Sequence, residues 1–456
     1  MATLLARNIH TLVTMDEARR EIADGAIFSR DGVIEYIGTT ESVLNALAQA
    51  SITPDETLNL RDQVVIPGLI NTHHHMYQSL TRVIPNGQDQ ELFGWLTSLY
   101  HLWAGLRAEM IYTSTLTAMA ELILSGCTTA SDHLYIYPND CTLDDSIRAA
   151  GAIGMRFHAS RGSMSVGQSQ GGLPPDSVVE TEENILKDTR RLIETYHDAA
   201  RHAMLRITVA PCSPFSVSQD LMRESAKLAR AYGVRLHTHL AENEADVAYS
   251  LEKFGLEPAL YAEDVGWLGE DVWHAHCVKL SARGIGMFAR TGTGVAHCPS
   301  SNMRLASGIA PIRAMRDAGV RIGLGVDGSA SNDAGHLLAE ARMAMLLQRV
   351  NGNPAGLTAR EALEIATRGG AQVLGRDDIG HLAAGMSADF AAFDLNQIAF
   401  AGAGHDPLAA LVFCAPSSVS YSVINGQVVV REGILCTVEL PQVIRVHNQY
   451  AKQLAG

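Results

Sequence analysis

The chain has 456 residues, 47% of them hydrophobic and 18% charged, so a large buried core is available and wholesale disorder is excluded. Thirty-five Lys and Arg stand against 49 Asp and Glu, a formal net charge of −14. That balance argues against a nucleic-acid polymer as partner, because nothing attracts a polyanion over long range. It leaves a small free base open as ligand. No apolar run is long enough for a membrane span. The N-terminal segment Met1–His10 lacks a basic region followed by an apolar core and reads as mature sequence, not a signal peptide. The seven cysteines, at 127, 141, 212, 277, 298, 414 and 436, are scattered and odd in number, with no Cys-x-x-Cys. They read as reduced thiols of a cytoplasmic protein.

The first 63 residues carry short β-type runs. Ala26–Arg30, the turn Asp31-Gly32 and Val33–Gly38 predict a hairpin. The C-terminal region has the same texture: Ser420–Ile424, the turn Asn425-Gly426 and Gln427–Val430. Two β-rich ends around a different middle predict one small β-sandwich domain, residues 1–63 plus 380–456, since chain ends often lie close together.

Residues 64–379 read as strands alternating with helices. The predicted strands are Gln63–Ile66 running into Pro67–His75, Gly126–Leu134, Met155–Arg161, Leu205–Pro211, Val234–Leu240, Val272–Val278, Gly294–Cys298 and Val320–Val326. Helix patterns such as Leu221–Tyr232 and Gly335–Arg349 lie between them. Eight such units predict a (β/α)8 TIM-type barrel, with chemistry at the C-terminal strand ends. Two segments are expected to overhang the barrel mouth. One is the aromatic-rich insert 76–108; the other is 161–175, rich in Gly, Ser and Pro and read as a flexible loop.

The predicted strand ends collect polar residues. In Asn71-Thr72-His73-His74-His75, positions i and i+2 share a face, so His73 and His75 can reach one metal ion. In His237-Thr238-His239-Leu240-Ala241-Glu242 the two histidines also share a face, and the pattern does not choose between them. His274-Ala275-His276 and Gly325-Val326-Asp327 end two further strands. Imidazole with carboxylate suits zinc or iron. Two motifs are decoys. Gly323–Gly328 formally matches Gly-x-Gly-x-x-Gly but puts Asp327 where a pyrophosphate would lie. Gly167–Gly171 matches Gly-x-Ser-x-Gly without a strand before it or a helix after it.

Over essentially its whole length the chain resembles the amidohydrolase superfamily. The resemblance rests on Pro67-Gly68 followed by His73 and His75, on His239-Leu240-Ala241-Glu242, on His276, on Asp327, and on Gly380–Asp389 returning to the β-domain. It implies that His73, His75, His239 and Asp327 hold one divalent metal per chain, zinc first and iron second. It implies that Asp327 takes a proton from the attacking water, which such a metal activates. Glu242 would protonate a ring nitrogen and His276 would hydrogen-bond the water or the tetrahedral centre; His237 is then structural. The fourth strand, Leu205–Ser213, carries no lysine of the kind that bridges two metals in binuclear members. A single metal resembles the deaminase branch, which acts on purines, pyrimidines and triazines. Within it, Asn71–Gln78, Cys212–Val217 and His237–Asn243 are most similar to the bacterial 8-oxoguanine deaminases. Ordinary guanine deaminases tend to carry an arginine-phenylalanine pair where Cys212 stands. The implied reaction is deamination of 8-oxoguanine to urate, with guanine or a triazine as alternative substrate. Gln78 is expected to read a purine edge, Trp103 to stack on the ring, and Cys212 to leave room near a ring oxygen. A small heterocyclic base is the expected partner, with no nucleic-acid polymer and no membrane, and the chain is expected to form a homo-oligomer.

Overall fold

The computed structural model describes residues 2–456. Eight parallel strands close a barrel: Leu69–Asn71, Cys127–Leu134, Arg156–Ser163, Leu205–Pro211, Arg235–Leu240, Val272–His276, Gly294–His297 and Arg321–Leu324. Their order around the barrel follows the sequence, and the eighth pairs with the first through Leu324 and Asn71. Helix Gln219–Tyr232 starts at Ser218, whose side chain accepts from Leu221 N, and ends at Gly233, whose φ of 66° suits glycine. Its Leu221, Met222, Ala226 and Ala229 are buried, as helical spacing requires.

The first barrel strand is shorter than the sequence suggests. The apolar run Val64–Ile66, expected to begin it, belongs to the other sheet. Strand Gln63–Pro67 pairs in parallel with Thr3–Val13 and antiparallel with Phe390–Asp394. A strand buried on both faces reads as a continuous apolar run in either sheet, so the pattern does not name its partner. The hand-over takes one residue: Gly68 N donates to Asp389 O in the terminal sheet, and Leu69 N donates to Gly126 O in the barrel. A Cβ at Gly68 would lie 2.0 Å from Thr128 Oγ1, so the passage is open only to glycine.

Both chain ends build one nine-stranded sheet. Its two predicted hairpins meet tip to tip. Asp31, Gly32, Asn425 and Gly426 all have positive φ, as tight hairpin turns demand, and a Cβ at Gly32 would lie 2.6 Å from Asn425 Oδ1. The sheet therefore folds over a core of its own that includes Ile27, Ile34, Phe390 and Val423. The final helix, Leu440–Ala455, packs instead on the barrel helix Ala108–Leu124. Buried Arg156, at the start of the third barrel strand, clamps Asp389 of the terminal sheet with Nε–Oδ2 at 2.8 Å and Nη2–Oδ1 at 3.1 Å.

Candidate metal centre and active site

Imidazoles from just after the first barrel strand and from the fifth, with a carboxylate from just after the eighth, converge at the C-terminal rim. A two-stranded ribbon sets the register, pairing Asp327 with His74 and Gly328 with His75. Asp327 N also donates to His73 O at 3.1 Å. His75 Nε2 lies 3.1 Å from His239 Nε2 and 3.4 Å from Asp327 Oδ1, and His73 Nε2 lies 3.2 Å from that same oxygen. Four donors about 2.0–2.2 Å from one tetrahedral ion would be separated by distances of this order.

The hydrogen bonds behind these groups fix their tautomers. His75 Nδ1–H donates to His133 O at 2.7 Å and His239 Nδ1–H to Cys212 O at 2.5 Å. His237 Nδ1–H donates to Trp273 O at 3.0 Å, so its Nε2 accepts from His73 Nδ1–H at 2.8 Å. His73, His75 and His239 are each left with an Nε2 lone pair aimed at the cluster, and His73 Nε2 has no hydrogen-bond partner among the described residues. Burial holds His73 and His75 below the ordinary histidine range and His239 down to about 3. Neutral imidazoles with converging lone pairs repel one another; a cation between them converts the repulsion into binding. The donor set thus fits one divalent metal. Burial would raise the Asp327 carboxyl, but surrounding His73, His276 and His75 hold it well below the usual range. Its Oδ2 accepts from Ser301 Oγ and from Ser331 Oγ, the latter at 3.0 Å, leaving Oδ1 to face the imidazoles.

Glu242 and His276 stand beside this group, with His276 Nε2 3.6 Å from Glu242 Oε2 and 3.9 Å from Asp327 Oδ2. His276 Nδ1–H donates to Asn302 Oδ1 at 2.9 Å, which turns Nε2 toward the site. Burial pushes the Glu242 carboxyl up to about 7 against the pull of His276. The rim stores backbone strain: Ala241, His276, Cys277 and Asp327 all have φ between 51° and 69°, unusual for side chains other than glycine.

A pocket of about 380 Å³, open mouth included, lies over the cluster. Its floor carries His75, His239, Glu242, His276 and Asp327. The insert supplies much of its wall. Helix Leu92–Trp103 starts at Glu91, whose side chain accepts from Gly94 N, and buries Leu92, Trp95, Leu96, Leu99, Tyr100 and Trp103 as one stripe. Leu92, Trp95, Leu96 and Tyr100 face the pocket. Gln78 and Cys212 line it too, and Gln78 Oε1 is buried without a partner. Gln78 fits only because position 328 is glycine, where a Cβ would lie 1.8 Å from Oε1.

Trp103 is elsewhere. It is fully buried, its indole N–H donates to Thr81 Oγ1 at 3.1 Å, and it does not reach the pocket. A little over two helical turns separate it from Trp95, which lines the pocket instead. Segment 161–175 also differs from expectation. It contributes no pocket wall, and Ser165 N, Val166 N and Ser169 Oγ tie it to Ser216 O and Asp176. The sequence reading missed His133, which can share a metal with His73, His75 and His239 and whose Nδ1 is unpartnered. It ends the second barrel strand, so the strand-end rule could have found it. Tyr135, Asn302, Ser301 and Ser331 were missed as well; Tyr135 and Ser331 follow strand ends in loops, Ser301 and Asn302 lie on the short helix Pro299–Arg304, and none carries a local signature.

Residues 64–429 match the profile of the amidohydrolase family. The chain belongs to this family. It is 44% identical over 435 residues to an 8-oxoguanine deaminase of Pseudomonas aeruginosa, covering 95% of each chain. It is 41% identical over 450 residues to a hydroxydechloroatrazine ethylaminohydrolase of Pseudomonas sp. strain ADP, covering 95% of this chain and 92% of the other. The solved structure of an atrazine chlorohydrolase from Arthrobacter aurescens TC1, complexed with zinc, superimposes with a TM-score of 0.93 at 34% identity, over 98% of this chain and all of that one. The chain is therefore an aminohydrolase of this family, with a His and Asp group that could hold a metal.

Proposed function

We propose that this amidohydrolase deaminates a free purine base, 8-oxoguanine, to urate and ammonia. His73, His75, His239 and Asp327 would hold the metal, zinc by preference. When bound, it lowers the pKa of a coordinated water from about 15.7 to near 7, supplying the hydroxide equivalent. Asp327 takes a proton as the water oxygen bonds to the purine carbon bearing the exocyclic amine. Glu242, protonated up to about pH 7, donates to the adjacent ring nitrogen. Asp327 passes its proton to the amine, the C–N bond breaks and ammonia leaves, and the hydroxyl proton released as the carbonyl forms returns to Glu242, so water in and ammonia out balance the reaction. His276 Nε2 hydrogen-bonds the oxygen throughout and Asn302 orients it. Gln78 offers an amide donor and an acceptor to the purine edge, and Trp95 an aromatic wall.

The observation that carries this reading is the position of buried Glu242 against His276 and Asp327, at the floor of a pocket where Gln78 Oε1 lacks a partner. The 44% identity to an 8-oxoguanine deaminase supports the substrate. The 41% identity to a triazine aminohydrolase favours the second reading, a hydroxylated triazine. Ammonia release from 8-oxoguanine, guanine, adenine, cytosine and a hydroxylated N-alkyl triazine, with alkylamine release also followed for the last, separates them. Turnover is expected to be highest with 8-oxoguanine. Turnover of the triazine without any purine would sink the purine reading. The seven cysteines form no disulfide, which supports a cytoplasmic setting.

A further inference from the structure

The opposite end of the barrel holds a second cavity, of about 1070 Å³ including its mouth. His158, Arg206, Arg235, Arg230 and Gly375 are among its walls. Strand register gathers them. Arg206, second in the fourth strand, pairs with His158 of the third, and Arg235 opens the fifth strand opposite Thr208. Gly375 is a cradle: a Cβ there would lie 1.9 Å from Arg235 Nε, and its carbonyl accepts from Arg206 Nη1 at 3.3 Å.

The charges do not balance. Arg230 is paired with Asp271 at 2.9 Å, Arg376 with Asp378 at 2.7 Å, and Arg156 with Asp389 at 2.8 Å. Glu270, largely exposed, stands 3.7 Å from Arg321. Arg206 and Arg235 make no ion pair among the described residues; Arg235 has only the carbonyl of Glu270, at 2.6 Å, and Arg206 only carbonyls at 3.3–3.4 Å. Arg206 Nε and His158 Nε2 are buried with no partner among the described residues, and His158 is 1% exposed. Two unpaired guanidiniums thus share one concave wall of a chain whose net charge is −14.

We propose that this cavity binds a phosphate-type oxyanion, free or as the phosphate of a small phosphoester, between Arg206 and Arg235 with His158 Nε2–H as a third donor. A doubly charged oxyanion matches two unpaired arginines, and each guanidinium fork fits its oxygens bidentately. Burial, then Arg321, pushes Arg235 down to about 10, and burial, then Arg376, lowers Arg206. A bound anion relieves that stress, so binding should stabilise the fold.

The test uses metal-loaded full-length protein in buffers matched for ionic strength with chloride. Inorganic phosphate should raise the melting temperature and titrate calorimetrically at one site per chain. Arg206→Gln and Arg235→Gln should each weaken phosphate about tenfold or more. Glu242→Gln should leave the affinity unchanged, separating this cavity from the catalytic pocket. If Arg235→Gln does not fold, Arg206→Lys, which keeps the charge and loses the fork, should fall between wild type and Arg206→Gln. Tighter binding of adenosine monophosphate than of phosphate assigns the phosphoester, weaker binding the free ion. Turnover of Arg206→Gln in phosphate-free buffer should match wild type. Equal melting in phosphate and chloride, or undiminished phosphate affinity in the arginine variants, overturns the proposal.

Discussion

The two ends of the barrel bury polar groups by opposite means. At the N-terminal end, Arg156 with Asp389 and Arg376 with Asp378 are closed pairs whose hydrogen bonds stay within the chain. At the C-terminal rim, His73 Nε2, His133 Nδ1 and Gln78 Oε1 are buried with nothing to bind, and the backbone at Ala241, His276 and Asp327 is strained. Buried groups without partners cost stability, so they persist where a ligand completes them. Closed pairs hold the fold, and open valences gathered around one pocket mark the chemistry. Arg206 and Arg235 are the exception at the lower end, which is why that cavity reads as a site.

Breaking the rim should abolish activity and leave the fold intact. Asp327→Asn is expected to show the largest loss, with turnover gone and metal lost on dialysis, checked by ammonia release and elemental analysis. Glu242→Gln should lower kcat by about 10²–10⁴ with metal content unchanged. Near-wild-type turnover in Glu242→Gln would remove the proton-transfer role. The reverse pattern is expected at the lower end. Arg156→Met leaves Asp389 buried and unpaired, at a cost of roughly 3–5 kcal/mol. Denaturant unfolding should show that loss, kcat per bound metal should stay near wild type, and Arg156→Met/Asp389→Leu should recover part of the stability.

A smaller effect sharpens how the rim is held. His237 stacks on Trp273, ring centroids 4.5 Å apart, and fixes the His73 tautomer without touching the pocket. His237→Phe keeps the stack and removes the acceptor. Metal affinity should fall about 10–100-fold, measured by competition with a chelator, and excess metal should restore turnover. Full activity at limiting metal would show that the tautomer needs no such anchor.

These contrasts also explain what was legible in the sequence. Strand ends are local: an apolar run followed by His-x-His, or by Val326-Asp327, places a side chain by period alone, so the barrel and its rim residues were readable. Three things were not local. Val64–Ile66 is buried on both faces and pairs with strands from both chain ends, which no pattern specifies. Trp95 and Trp103 lie on one helical stripe, and only the packing of that helix decides which one meets the pocket. His237 and His239 share a face of one strand; only strand depth puts one behind His73 and the other in the cluster beside His75.

The smallest expected effect tests whether a buried acid beside the rim behaves as a structural group. Glu340, 3% exposed, accepts from Ser300 N at 3.2 Å and from Asn332 Nδ2 at 2.8 Å. Burial raises its carboxyl from about 4.5 to about 7. A folded-state value above the unfolded one means the native chain holds the proton more tightly. Its contribution is complete below about pH 4.5 and declines until the folded group has ionised, near pH 7. Wild-type stability should therefore carry a downward slope between those limits that Glu340→Gln removes, since a neutral amide has no proton to lose. Parallel slopes for the two proteins would mean that Glu340 is ionised in the fold, and that the hydrogen bonds from Ser300 and Asn332 outweigh burial and the like charge of Asp327.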